Sequence, residues 1–324
     1  MTATTDPMPP PTDHPAQPNA RRHAVATLGN FDGLHLGHAA LITRVIERAR
    51  ALDARSVIVT FEPHPVAVLA PERAPKRIFP ADEKRRALDA TGVDEVVALS
   101  FDRTLAAQTA EVFTETFLVG RLSCAHVVVG HDFTFGAGRR GNAEVLARLG
   151  ADWGFTVELV DAVGLDDGLV VSSSAVRRAV SAGDVALAAR LLGRPFEVIG
   201  PVVHGARRGR ALGFPTANIA ARNELLPLPG IYAAWLDAGG ALLPAAVSVG
   251  HNPTFGPHAL SIEAHVLPEA AGPNLDLYGR EVRLGFVHRL RDEVAYTTVE
   301  ALVVQIEADV RACRALLASD ATAP

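Results

Sequence analysis

From residue 21 to residue 193, short apolar runs alternate with segments in which apolar residues recur every three or four positions. The short runs predict buried strands, and the wider spacing predicts amphipathic helices. Almost continuously apolar strands that alternate with helices indicate a parallel sheet covered on both faces. We therefore expect an α/β domain, in which Asn142 caps one helix and Gly150 ends it. The predicted strands are 23–28, 56–61, 95–99, 125–130 and 155–160, and the other predicted helices are 39–52, 82–90, 110–122, 174–181 and 184–192.

From residue 194 to residue 318 the pattern changes. Five apolar runs are separated by Gly and Pro, and helical spacing is missing until the end of the chain. This pattern is typical of a small antiparallel β-barrel. A helix closes the second domain, and Thr297 and Glu300 have the spacing of a capping box at its start. The predicted strands are 197–203, 230–236, 241–249, 261–267 and 281–287.

The two ends of the chain show neither pattern. Residues 1–20 are rich in Pro and Thr and are expected to be disordered, and residues 319–324 form a short tail. The first twenty residues also lack the apolar segment of a secretory signal. The longest stretch without charged side chains, 238–262, contains several Pro and Gly, so it predicts strands and turns rather than a membrane-spanning helix. We expect a soluble, cytoplasmic protein.

Composition narrows the classes of function. The 324 residues are 48% hydrophobic and 21% charged, which excludes a wholly disordered or fibrous chain. A net charge of −5 disfavours a dedicated nucleic-acid binder, which usually carries a basic excess. Cys124 and Cys313 lie far apart, so neither a disulfide framework nor a thiolate metal cluster is expected. The predicted partners are small-molecule substrates, without nucleic acid or membrane, and self-association stays open.

The first candidate site is the segment TLGNFDGLHLGH, residues 27–38, which joins a predicted strand to a predicted helix. Open parallel sheets bind ligands at this position, and a helix N-terminus attracts anions. Glycines in the segment permit close approach of the backbone. His35 and His38 are three residues apart and suit charge stabilisation on a phosphoryl group. Two such histidines could also be plain loop residues or metal ligands, although a zinc site lacks a convincing third ligand.

A second glycine-rich segment, HGARRGRALGFPTANI, spans residues 204–219. Gly205 and Gly213 belong to a flexible loop over an anion, and Arg210 is one of three arginines that could offset phosphate charge. The alternative is an ordinary arginine-rich surface loop before a proline turn. The sequence contains no P-loop of the G-x-x-x-x-G-K-[ST] type, so an ordinary P-loop enzyme is excluded.

Hard oxygen ligands follow this loop. Thr216 and Asn218 offer a hydroxyl and an amide oxygen two residues apart, which suits Mg²⁺ bound together with substrate phosphates. Glu263 lies on the predicted strand SIEAHVL. A lone carboxylate on a barrel strand is more often solvated than catalytic, so the residues alone leave its role open.

The segment GNFDGLHLGH resembles the signature of the nucleotidyltransferase superfamily, in the form carried by bacterial bifunctional riboflavin kinase/FMN adenylyltransferases (FAD synthetases). TFEPHP at 60–65, VVVGHDFTFGAGRRGN at 127–142, VSSSAVR at 171–177 and GFPTAN at 213–218 are similar to further motifs of that family, in the same order. The resemblance covers the chain from about residue 21. It implies a Rossmann-like FMN adenylyltransferase domain over residues 21–193 and a riboflavin kinase barrel over residues 194–318.

The resemblance also implies roles for residues of the first domain. The two histidines would contact ATP phosphates and stabilise the transition state, and serines and an arginine would hold the phosphates from the other side of the cleft. The serines could equally cap the helix that follows them, and the arginine could be solvated. Contacts of His64 stay open: it could touch a ligand, or Pro63 and Pro65 could merely shape a turn around it. The implied catalytic residues are His35 and His38; the nucleotide-binding residues are Gly29, Asn30, Asp32, Gly37, Ser172, Ser173 and Arg177; Asp132 and Phe133 would lie near the flavin or the adenine.

In the second domain, the resemblance makes Glu263 the general base that takes a proton from the ribityl 5′-hydroxyl. Gly205, Arg210 and Gly213 would surround the nucleotide, Thr216 and Asn218 would hold Mg²⁺, and Asn252 would be part of the flavin surround. Contacts of His251 stay open. Arg291 is expected either to stabilise a loop beside the flavin or to pair with Asp292 or Glu293.

The implied function is a pair of reactions. Riboflavin is phosphorylated by ATP to FMN, and FMN is then adenylylated by a second ATP to give FAD and pyrophosphate, with Mg²⁺ serving both steps. Two alternatives stay open. Only one domain could be active, or the chain could be a flavin-binding regulator without catalysis.

Overall fold

The computed structural model describes residues 23–205, 209, 212–240, 242–251, 260–271 and 275–319. The first domain contains a five-stranded sheet in which every pairing is parallel. The predicted parallel sheet is therefore confirmed. In spatial order the strands are β3 (Glu95–Ser100), β2 (Arg55–Glu62), β1 (Ala24–Leu28), β4 (Cys124–Gly130) and β7 (Thr156–Val160).

Helices and one small hairpin connect these strands. The hairpin consists of β5 (Thr134–Phe135) and β6 (Gly141–Asn142). Apolar residues of several helical segments, such as Val45, Leu88 and Leu118, all fully buried, pack on the sheet. The helices are α1 (Leu36–Ala51), α2 (Pro65–Leu69), α3 (Ala81–Asp89), α4 (Arg103–Ala106), α5 (Ala110–Phe113), α6 (Ala143–Trp153), α7 (Ser173–Ser181) and α8 (Val185–Leu192).

Two details of the predicted helices are wrong. The single helix predicted over 110–122 is α5 followed by a π-helical segment, Thr114–Arg121. Asn142 caps α6 as predicted, but Gly150 does not end it: the helix continues to Trp153 and ends at Gly154, which has a φ of 81°. Gly150 is required inside α6 for another reason, because a Cβ there would lie 2.6 Å from the carbonyl oxygen of Phe155.

The second domain is a closed barrel with antiparallel pairing throughout, in the order β10-β11-β12-β9-β8-β13. The predicted barrel is confirmed, but the apolar pattern did not predict its sixth strand, β9, which is three residues long. The strands are β8 (Phe196–Val203), β9 (Ala217–Ile219), β10 (Gly230–Asp237), β11 (Leu242–His251), β12 (Leu260–Val266) and β13 (Glu281–Arg291).

A C-terminal helix, α9 (Val299–Ser319), packs on the outside of the barrel through Val310, Cys313 and Leu317. Its first turn is capped by the Thr298 hydroxyl, which accepts from the Ala301 N–H at 3.2 Å, so the predicted cap at Thr297 is wrong by one residue. In the part of the chain that the structure describes, none of the helices combines the length and the apolar character of a membrane-spanning segment.

Arg291 anchors this helix. Its guanidinium binds both carboxylate oxygens of the buried Asp309 on α9, at 2.9 and 2.6 Å. Neither predicted partner, the side chain of Asp292 or that of Glu293, takes this place, although Arg291 also donates to the backbone carbonyl of Asp292. Asp309 lies 18 residues further along the chain, beyond the reach of a local pattern.

The two domains share a continuous apolar contact. Leu191 and Val180 from α8 and α7 belong to the same buried cluster as Phe196 and Tyr232 of the barrel. Next to it, the buried carboxylate of Glu83 on α3 is surrounded by Arg86 of the first domain and by Arg222 and Arg283 of the second. The barrel therefore packs against helices that themselves reach the carboxyl edge of the parallel sheet.

Candidate active sites

The loop between β1 and α1 lies at the carboxyl edge of the parallel sheet, as the sequence predicts. Gly33 has a φ of 88°, and a Cβ there would lie 2.9 Å from the side chain of Ile78. Gly37 lets the backbone pass the ring of His35, because an added Cβ would meet its Nδ1 at 3.2 Å. Glycines at these two positions therefore let the loop pack closely against Ile78 and His35. We call this loop, residues 29–38, the nucleotide loop.

His35 and His38 form a stacked pair in this loop. Their ring centroids are 3.6 Å apart and the ring planes differ by 17°. His35 is the N-cap of α1, and its Nδ1 accepts a hydrogen bond from the His38 backbone N–H at 3.3 Å. Because Nδ1 is an acceptor, the neutral ring of His35 carries its proton on Nε2.

Burial sets the charge of both rings. It lowers the pKa of His35 to about 4, and burial together with the neighbouring His35 lowers the pKa of His38 well below its ordinary value. Both imidazoles are therefore neutral at pH 7. They can donate hydrogen bonds to a phosphoryl group, and they do not supply the cationic charge that a free histidine pair could carry at lower pH.

Asp32, Ser173 and Arg177 meet at the other side of this loop. The buried Asp32 carboxylate pairs with the Arg177 guanidinium at 2.5 Å. Ser173 donates its hydroxyl to the Asp32 carbonyl at 3.0 Å, and Ser172 caps α7 by accepting from the Ala175 N–H. The sequence placed these residues at one site, and the structure brings them together; Arg177 is not a solvated helix residue.

Lys84 is a further basic group beside the loop, and no sequence motif predicted it. Its ammonium donates to the Phe61 carbonyl at 3.1 Å and lies 3.6 Å from Glu62. Burial lowers the pKa of Lys84. His64 lies two residues after the end of β2. Its Nδ1 accepts from the Val66 N–H and caps α2.

An aromatic cavity of about 640 Å³ opens next to the nucleotide loop. Gly29 and Asn30 line one end of it, so the loop and the cavity are continuous. Phe133, predicted near a ligand, lines the cavity, whereas Asp132 is not among the lining residues and acts electrostatically on His35. The other aromatic residues, which the sequence analysis missed, are Phe61, Phe101, Phe113 and Phe135.

The barrel has its own cavity, of about 410 Å³, lined by Gly205, Thr216 and Asn218 among others. Asn218 on β9 pairs in register with Glu263 on β12, and the Thr216 hydroxyl lies 3.3 Å from a carboxylate oxygen of Glu263. A Cβ at Gly205 would overlap the amide group of Asn218, so only glycine fits there. Gly213 has a φ of 87°.

These donors fit Mg²⁺ bound together with a phosphate. A hydroxyl, an amide oxygen and a carboxylate are hard oxygen ligands, and Mg²⁺ usually takes a few of these plus substrate oxygens. Within the described ranges no group of three or more His, Cys, Asp or Glu could form an all-protein metal site. Arg210 and Asn252, which the sequence assigned to this site, lie outside the described residues.

His265 supports the same loop and was also missed. Its Nδ1 lies 2.9 Å from the carbonyl oxygen of Pro215, the residue before Thr216. A carbonyl only accepts, so Nδ1 carries the proton and donates. His265 lies two residues after Glu263 on β12. Its contact with Pro215 joins residues 50 positions apart, so no local sequence pattern predicts it.

The burial of His35 predicts that the free energy of unfolding depends on pH. Unfolding returns His35 to its ordinary pKa of 6.5, so between pH 6.5 and about 4 the unfolded chain binds more protons than the folded one. The free energy of unfolding should therefore fall as the pH is lowered through this window, and His35 alone should account for roughly 1–2 kcal/mol between pH 7 and pH 5. Denaturant unfolding at both pH values measures it.

The His35→Asn variant provides the comparison for this experiment. Its free energy of unfolding should depend less on pH than that of the wild type. Equal pH dependence in the two proteins would show that the His35 ring does not titrate in the way its burial requires.

The fold and these two sites define a two-domain transferase that uses nucleotides. Residues 17–175 match the family model described as FAD synthetase, and residues 192–317 match the one described as riboflavin kinase. The bifunctional riboflavin kinase/FMN adenylyltransferase of Pseudomonas fluorescens is 42% identical to this chain over 301 residues, which is 93% of this chain and 95% of that protein.

Two further proteins also match this chain over most of its length. The protein of the same description from Escherichia coli (strain K12) is 38% identical over 88% of this chain and 90% of its own length. A crystal structure described as a macrolide-efflux protein from Streptococcus pneumoniae superposes with a TM-score of 0.81 at 31% identity, covering 92% of this chain and 95% of that one. The chain belongs to the bifunctional riboflavin kinase/FMN adenylyltransferase family.

Proposed function

We propose that this chain makes FAD in two steps, first phosphorylating riboflavin to FMN and then adenylylating FMN, each step using one ATP. The observation that carries the proposal is the presence of two separate cavities, one beside the stacked His35 and His38 and one beside Thr216, Asn218 and Glu263. Each cavity lies in the part of the chain that matches the corresponding family model.

In the adenylyl transfer, a phosphate oxygen of FMN attacks the α-phosphorus of ATP, and the bond to the pyrophosphate oxygen breaks. Negative charge grows on the α-phosphoryl oxygens, where the neutral rings of His35 and His38 donate hydrogen bonds without needing to transfer a proton. The N-terminus of α1 adds backbone N–H groups, with Gly29, Asn30 and Gly37 allowing the phosphates to approach. Arg177, held by Asp32, supplies positive charge on the other side.

The flavin ring of FMN fits the aromatic cavity that joins the nucleotide loop. Phe61, Phe101 and Phe133 offer apolar faces on which a flat, fused ring can pack. Gly29 and Asn30 line the cavity where it joins the loop, and there they would meet the phosphate that the ring carries. This arrangement directs the FMN phosphate toward the two histidines.

In the phosphoryl transfer, the 5′-hydroxyl of riboflavin attacks the γ-phosphorus of ATP and ADP leaves. Glu263 takes the hydroxyl proton, a contribution that is typically about 10²–10⁴-fold. Thr216 and Asn218 would hold Mg²⁺, which when bound neutralises charge on the ATP phosphates. His265 keeps the Thr216 loop in place through Pro215.

Product chromatography tests the proposal. The purified protein is incubated with riboflavin, ATP and Mg²⁺, and we expect FMN to form first and FAD to follow. If only FMN forms, only the kinase is active. If neither FMN nor FAD forms, the result favours a flavin-binding regulator. A parallel reaction without Mg²⁺ should give neither product. Since both reactions consume ATP and small soluble flavins, we also propose that the enzyme works in the cytoplasm.

A further inference from the structure

Residues 76–79, which we call the bridging segment, precede α3 and contact the nucleotide loop through their backbone. The Ile78 N–H donates to both carboxylate oxygens of Asp32 at 3.1 and 3.0 Å, and the Phe79 N–H donates to one of them at 3.2 Å. The Lys76 carbonyl accepts from Nε of Arg177 at 2.8 Å. The bridging segment therefore holds both members of the Asp32–Arg177 pair.

The same segment is bound on its other side to the barrel. Glu224 accepts from the Arg77 backbone N–H at 2.9 Å and from its Nε at 2.8 Å. Asn223 directs its side-chain amide at the Ile78 carbonyl, 3.5 Å away. The Ile78 side chain is only 2% exposed and belongs to the buried cluster of the barrel, together with Leu225.

Asn223 is itself fixed by the barrel. Its Oδ1 accepts from the Ile199 N–H and its Nδ2 donates to the Glu197 carbonyl, both at 2.9 Å and both on β8. Asn223 and Glu224 lie between β9 and β10, and neither is among the residues that line the barrel cavity. They face the first domain rather than the kinase site.

Arg194, at the start of the barrel domain, makes a second connection of the same kind. Its half-buried guanidinium donates to the Gly33 carbonyl at 3.0 Å and lies 5.1 Å from the ring centroid of Phe79. Asp32 is thus held by a segment that the barrel binds, and the Gly33 carbonyl by an arginine two residues before β8.

We propose that Asn223 and Glu224 of the barrel are positioning residues for adenylyl transfer, which fix Asp32 and Arg177 through the bridging segment. The inference rests on the proposed function and adds that the first domain needs the barrel to shape its nucleotide loop. Loosening the bridging segment should weaken the hold on ATP. It should not alter the aromatic cavity for FMN, because neither Asn223 nor Glu224 lines that cavity.

The test compares Glu224→Ala with Glu269→Ala. Both carboxylates bind one arginine through two hydrogen bonds and are almost equally exposed, at 47% and 46%, but Glu269 pairs with Arg314 far from the bridging segment. With FMN supplied, the KM for ATP should rise about tenfold in Glu224→Ala, because small displacements of a phosphate-binding group cost at least this much. The KM for FMN should stay unchanged.

The control and a second variant complete the experiment. Glu269→Ala should adenylylate FMN with the wild-type KM for ATP, and Glu224→Ala should phosphorylate riboflavin at the wild-type rate. Asn223→Ala, checked for folding by circular dichroism, should repeat the rise in the KM for ATP. Glu224→Gln keeps one acceptor for Arg77 and should fall between Glu224→Ala and the wild type.

An unchanged KM for ATP in Glu224→Ala would overturn the inference. So would a lower kcat with both KM values unchanged, because that result indicates only a smaller folded fraction. If the wild-type protein makes no FAD from FMN at all, the proposed function itself is wrong, and this inference falls with it.

Discussion

Replacing Glu263 by alanine is expected to stop FMN formation while added FMN is still converted to FAD. The carboxylate contacts Thr216 and pairs in register with Asn218, two residues that line the barrel cavity, where a riboflavin hydroxyl must lose its proton as it attacks ATP. Loss of a positioned base should lower the kinase rate by about 10²–10⁴-fold. Product chromatography from riboflavin, and separately from FMN, measures both activities of the variant.

Glu263→Gln separates proton transfer from packing. The amide keeps the size of the side chain and can still accept from Thr216, but it cannot take the proton. We expect the kinase to be as inactive as in the alanine variant. If Glu263→Gln phosphorylates riboflavin at close to the wild-type rate, Glu263 is not the base.

Replacing His38 by alanine is expected to have the opposite effect, with FMN accumulating and little FAD formed. The neutral ring stacks on His35 in the loop that we propose binds ATP, so its removal should take away a hydrogen-bond donor to the transition state. Loss of one such donor typically lowers kcat by about 10²–10³-fold. The rate of FAD formation from supplied FMN is the measurement.

His126→Ala is the matched control. His126 is a buried histidine of the same domain whose ring contacts Thr156 and Glu158, and its position on β4 is toward the end opposite the nucleotide loop. This variant should make FAD at the wild-type rate. Equal loss of FAD formation in both variants, or loss of kinase activity in a folded His38→Ala, would contradict the assignment of the two sites.

The sheet and the barrel were predictable because each rests on a repeated pattern. Apolar runs followed by helical spacing predicted both ends of each of the five parallel strands to within one residue. Strand β9 was missed because three residues between a glycine-rich loop and a turn carry no alternation. The π-helical segment Thr114–Arg121 was missed because its apolar spacing resembles that of an α-helix.

The sites were predictable as far as they are local in sequence. His35 and His38 lie within one turn of each other, and Thr216 and Asn218 are two residues apart, so a short motif reveals them. The pairing of Asp32 with Arg177 joins residues 145 positions apart. No single-chain pattern shows such a contact, which depends on how α7 packs against the nucleotide loop.

The aromatic cavity was missed for the same reason. Phe61 lies near the end of β2, and Phe101 directly follows β3. Phe133 and Phe135 lie just before and within the hairpin, so each of the four resembles an ordinary apolar residue of its own segment. Only the common carboxyl edge of the parallel strands brings them together. Lys84 and the bridging segment are likewise defined by contacts between distant parts of the chain.

A crystal structure with a non-hydrolysable ATP analogue, Mg²⁺ and FMN tests the central claim most directly. We predict nucleotide density in two places, one with phosphates beside the stacked rings of His35 and His38 and one with phosphates beside Thr216 and Asn218, and a flavin ring among the phenylalanines of the larger cavity. Nucleotide bound at only one of these places, or elsewhere on the protein, would contradict the account.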